Sequence, residues 1–117
     1  MTTTTADSGP HWYVAILLYE SSSPDPGYTP LFEEAILLLQ AASDDEARTK
    51  AQAHADRSRT SFKNVLGQTI IWTLKHIVDV NVMLVDGPAD GAEIYARHFR
   101  DYDAYRKFEP MLDGSVE

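Results

Sequence analysis

The segment LFEEAILLLQA, Leu31–Ala41, decides the fold of this chain. Glu, Ala and Leu are good helix formers, so a helix is one reading of it. The other is a strand, in which Glu33, Ala35, Leu37 and Leu39 alternate with Phe32, Glu34, Ile36, Leu38 and Gln40. The neighbour on its N-terminal side favours the strand. WYVAILLYE, Trp12–Glu20, is short, rich in β-branched and aromatic residues, and apolar on both alternating faces. An all-apolar strand expects cover on both sides of its sheet, so this one is read as central. Between the two lies a stretch, Ser21–Pro30, with three prolines and a glycine. Each proline fixes its own φ and restricts the residue before it, which predicts a long hairpin loop.

Beyond Ala41 the pattern changes period. Ser43, Asp44, Asp45 and Glu46 form an S-x-x-E capping box, with early acids suited to the positive end of a helix dipole. The Ser43 hydroxyl is expected to accept from the Glu46 amide, and the Glu46 carboxylate to reach back to the Ser43 amide. Ala47, Ala51, Ala55, Ser58, Phe62 and Val65 then recur at helical spacing, with Gly67 as the expected stop. From Ile70 to Val85 strict alternation returns on the even positions, broken only by His76. That run is long for one strand, so a bend or bulge is expected near Lys75–Ile77. DGPADG, Asp86–Gly91, is a turn by composition. EIYARHF, Glu93–Phe99, is read as a strand pairing back, and the remainder as a short terminal helix.

These elements predict an α+β domain: an antiparallel sheet of about four strands, in the order β-β-α-β-β, with one long helix on a face. The chain of 117 residues is one domain's length. The expected boundaries are a disordered tail over 1–10, the domain over 11–112 and a flexible end over 113–117. The sequence has no cysteine, which excludes thiolate catalysis and cysteine-based metal or cluster sites and fits a reducing compartment. No apolar run approaches the roughly twenty residues of a membrane helix. The first ten residues lack the pattern of a signal peptide, so the cytoplasm is the expected location.

Five motifs carry a resemblance. A WY-initiated strand at Trp12, an FEE strand at Phe32, an A-S-D-x-E-A helix start at Ala42, a Trp72-containing strand running into Asp79–Val80, and a late E-I-Y-x-R at Glu93 occur in that order. This resembles a family of small, mostly bacterial proteins, the domain of unknown function 4288, over Trp12 to about Phe99. The resemblance implies a single domain and a bacterial cytoplasmic setting. It carries no assigned activity, and therefore no role for Glu33, Glu34, Trp72, Asp79, Glu93 or Arg97.

The formal net charge of −8 argues against nucleic acid, whose affinity comes largely from Lys and Arg on phosphates, and against anionic membranes. It is compatible with a basic protein partner. YARHFRDYDAYRKFEP, Tyr95–Pro110, interleaves rings with basic residues as a base-stacking surface would. Its acids, Asp101, Asp103 and Glu109, nearly cancel the charge, and Phe99, Tyr102, Tyr105 and Phe108 step by three. The expectation is therefore a terminal helix docked on the sheet.

His76 is either a core histidine with satisfied hydrogen bonds or a base beside acids such as Glu34 or Glu93. Glu33, Asp79 and Arg97 are candidate binding residues on a sheet face, with solvated charges or a cross-strand ion pair as the alternative. The histidines lack metal-ligand spacing, and no nucleophile elbow, dinucleotide fingerprint or P-loop appears, so neither metal nor cofactor is expected. The leading reading is a non-catalytic protein-binding or accessory module. The alternative is a small-molecule site or acid–base enzyme around His76. A homodimer suits both, because an apolar sheet face or open edge needs cover.

Overall fold

The computed structural model describes residues 10–58, 60–84 and 87–109. The expected tail and flexible end fall largely outside them. Four strands and two helices follow in order: β1 (His11–Ser22), β2 (Phe32–Ala41), α1 (Asp44–Arg57), β3 (Thr60–Lys63), β4 (Thr69–Val82) and α2 (Tyr102–Phe108). The strands form one antiparallel sheet ordered β2-β1-β4-β3. This is the expected α+β class, with LFEEAILLLQA a strand and WYVAILLYE central.

β4 is the long strand expected from the alternation over Ile70–Val85, but its partner at the sheet's end is not the one expected. The helical pattern through Phe62 breaks at Ser58, which caps α1, and Thr60–Lys63 becomes the edge strand β3. Ser and Thr compete for their own backbone and disfavour helix interiors, which is why spacing alone misled beyond Arg57. Gly67 belongs instead to the β3–β4 turn, at φ +80, a conformation that suits glycine. There the Asn64 side chain accepts from the Leu66 and Gln68 amides. Glu93–Phe99 is not a strand. It runs as irregular chain beside the end of β4.

One face of the sheet holds the main core. Tyr13, Ala15, Leu17 and Tyr19 of β1 pack with Val80 of β4 and with Ala47, Ala51 and Ala55 of α1. The alanines are essentially sealed from solvent, and their small size lets α1 lie close on the strands. At the helix start Ser43 Oγ accepts from the Glu46 amide at 3.1 Å, as expected. The Glu46 carboxylate accepts from the Ala42 amide rather than from Ser43.

Among the described residues the other face is covered at one end only. There Val14, Ile16 and Met83 pack with Trp12 and Tyr95. Gly87 lies against the Trp12 indole, where a Cβ would come within 3.0 Å of Nε1. The hairpin loop is held by Ser21, whose buried hydroxyl bonds Tyr28 and both the amide and carbonyl of Leu31.

Helix α2 does not dock. It has no buried residue, and it touches neither α1 nor any strand among the described residues. The ring spacing did predict a helix with an apolar side, but that side meets solvent rather than the sheet. With the arm extended, the Cα radius of gyration is 18.1 Å, against roughly 13 Å for a compact chain of this length.

Candidate functional site

The pairing of β1 with β4 decides where the candidate residues stand. Register runs from Tyr13 opposite Val82 to Ile16 opposite Asp79, then shifts so that Leu17 meets Ile77 and Leu18 meets His76. It shifts again so that Tyr19 meets Leu74. Two residues of β4, Val78 and Lys75, are therefore extra, each making a bulge. A single bulge reverses which side the following residues face, and a second restores it. Between the two bulges, Ile77 takes the core position and His76 is turned to the opposite face, exposed. His76 is thus not a core histidine. Lys75 swings outward to Glu20, with Nζ to Oε1 at 3.2 Å.

Leu18 pairs with Glu34 on one side and His76 on the other. The two polar side chains share the open face but stand two strands apart, about 10 Å. Glu93 lies elsewhere, in a groove of about 420 Å³ beside the end of β4, together with Asn81, Met83, Ile94, Tyr95 and His98. His76, Glu34 and Glu93 are therefore not gathered. Glu33 faces the helix side, opposite Tyr19, where its charge adds to burial in raising that phenol's pKa.

Asp79 and Arg97 do come together, through a residue that the sequence reading placed in a strand and gave no role. The Tyr95 hydroxyl donates to Asp79 Oδ2 at 2.7 Å. The same carboxylate accepts from Asn81 Nδ2 at 2.9 Å and from the Val80 amide, also at 2.9 Å. Burial chiefly, and then the bond to Asp79, push the Tyr95 phenol above its ordinary pKa, while Arg97 pulls the other way. The signal available was local: Tyr95 and Arg97 are two apart in extended chain and so share a side. This cluster fastens the irregular segment to β4.

A long sheet edge without a neighbouring strand lies on β2. Its ten residues pair with β1 without a bulge and carry no proline or lysine, leaving Glu33 and Glu34 as the charges on this sheet edge. Leu31 O accepts from the Ser21 amide across the hairpin, while Gln40 O is capped by Lys50 Nζ at 2.6 Å. Odd positions of β2 thus face β1, and Phe32, Glu34, Ile36 and Leu38 present their backbone groups to the free edge. Their side chains lie on the uncovered face, where Phe32 is 52%, Ile36 59% and Leu38 39% exposed. Among the described residues no helix is long and apolar enough to cross a membrane.

Fold and surface together define a small α+β domain whose sheet is covered by a helix on one side and, among the described residues, is open along β2, along β4 beyond Trp72, and over part of the other face. The chain belongs to the family described as domain of unknown function (DUF4288), whose profile matches residues 12–96. That match spans the sheet from Trp12 onward and the Tyr95–Asp79 fastening, and it stops where the terminal arm begins. No curated protein and no solved structure matches the chain.

Proposed function

We propose that this domain is a non-catalytic protein-binding module of the bacterial cytoplasm, which adds an extended segment of a basic partner to the free edge of β2. The observation that carries this reading is the bulge-free, proline-free β2 edge, with outward amides and carbonyls at Phe32, Glu34, Ile36 and Leu38. Strand addition draws affinity from main-chain hydrogen bonds and specificity from the alternating side chains. The acids Glu33 and Glu34, on an overall acidic chain, favour a basic segment. The acid–base alternative lacks a comparable support, because His76, Glu34 and Glu93 do not converge on one place.

The test is native mass spectrometry of the protein taken gently from its host, followed by affinity measurement on the partner it carries. A stoichiometric, salt-sensitive complex with a basic protein is expected. Glu34→Pro removes one outward amide without touching the β1 ladder, and should abolish binding while the domain stays folded. Glu33→Lys should weaken binding by roughly tenfold, the scale of a lost rim charge pair. Unchanged binding in Glu34→Pro would sink the edge reading.

A further inference from the structure

From the undocked helix and the half-open sheet we infer that two copies of this chain exchange their terminal arms, α2 of each lying on the open sheet face of the other. The two surfaces are present in one chain and, among the described residues, do not meet. On the arm, Phe99 is 56%, Tyr102 59%, Tyr105 37% and Phe108 72% exposed. On the sheet, Phe32, Ile36 and Leu38 form an exposed strip beside Leu18. Isolated apolar side chains on a surface need no explanation, but contiguous apolar surface marks an interaction site.

The arm is a preformed element. Asp101 caps α2 by accepting from the Ala104 amide at 3.0 Å, and the Phe99 and Tyr105 rings stack with centroids 4.9 Å apart. Tyr102, Tyr105 and Phe108, three apart, share one broad side of the helix.

Charge and area agree with a second copy as the occupant. The stretch from Arg97 to Glu109 holds four of the chain's ten basic side chains but three of its eighteen acids, so a slightly basic arm belongs to a strongly acidic body. On the open face Glu34 stands between Phe32 and Ile36, where Arg106 or Lys107 of an incoming arm would meet it. Aromatic residues present roughly 150–250 Å² each, so the four partly exposed rings offer about 400 Å² per arm. Two reciprocal contacts, counted on both sides, then bury on the order of 1,600 Å², the size of a standard stable interface. This contact uses the face of the sheet and the partner reading uses its edge, so either can fail alone.

Sedimentation velocity on the full chain, across a range of concentrations, tests the exchange. Wild type should be a dimer. Tyr102→Ser with Phe108→Ser on the arm, and separately Ile36→Lys on the sheet, should each give a folded monomer by circular dichroism. Mixing the two variants should restore a dimer of intermediate affinity, because the sheet of the first accepts the arm of the second. A wild-type monomer, with its arm free or folded onto its own sheet, would overturn the inference. So would a dimer that survives both sets of substitutions, or variants that dissociate but never pair when mixed.

Discussion

Tyr95 shows how much one hydroxyl can hold at the scale of a residue. Its bond to Asp79 fixes a segment that has no ladder of its own. Removing a neutral donor from a charged acceptor costs about 1.5–3 kcal/mol, and the Asn81 and Val80 donors keep the Asp79 carboxylate partly satisfied. Tyr95→Phe should therefore lower stability by about 1.5 kcal/mol in urea denaturation. The phenols also set the alkaline limit. Burial, first in each case, raises the pKa of Tyr13, Tyr19 and Tyr95, with help from Asp44 and Glu46 at Tyr13 and Glu33 at Tyr19. A raised native pKa means that the unfolded chain loses its protons first. Stability from these groups is complete below about pH 10 and falls as the pH climbs past it. Phenolate absorbance should accordingly appear later in the native protein than in the urea-unfolded chain, and coincident curves would contradict the burial of these rings.

At the scale of the element, β4 carries the least expected consequence. A strand with strict alternation apart from one histidine invites the reading that the histidine is buried with its neighbours. The bulges at Lys75 and Val78 instead move one residue, Ile77, into the core and His76 out of it. His76→Ala should change stability by less than about 0.5 kcal/mol, as exposed positions do. Ile77→Ala should cost about 2 kcal/mol or more, because its side chain packs against Leu17 and its neighbours. Denaturant midpoints of the two variants decide this, and the reverse order would place His76 in the core after all. A bend near Lys75–Ile77 was legible in the length of the run. Which residues were extra was not, because a bulge is defined only against the strand it pairs with.

For the whole molecule, the sheet order β2-β1-β4-β3 predicts a gradient of local stability. Strand β1 is bonded on both sides and buried over most of its length, whereas β4 has a second strand beside it only over Thr69–Trp72. Amide hydrogen exchange should be slowest in β1 and in β4 where they pair, and faster at the outward amides of Phe32, Glu34, Ile36 and Leu38. In the monomeric variants it should be fastest in α2, which among the described residues touches neither a strand nor α1. If the outward β2 amides are protected in the isolated protein, that edge is already covered.

Local chemistry was enough to specify the first half of the chain. The prolines of the hairpin loop, the two apolar runs and the Ser43 capping box each act within a few residues, so β1, β2 and the start of α1 could be read directly. The sequence also held the amphipathic terminal helix and the need for a break in β4. Tertiary structure decided the rest. It ended α1 at Arg57 and made β3 from residues with helical spacing. It brought Asp79 to the distant Tyr95–Arg97 pair, and separated His76 from both of its supposed acids. Above all it left α2 off the sheet, because ring spacing specifies an apolar side to a helix but not the surface that will receive it.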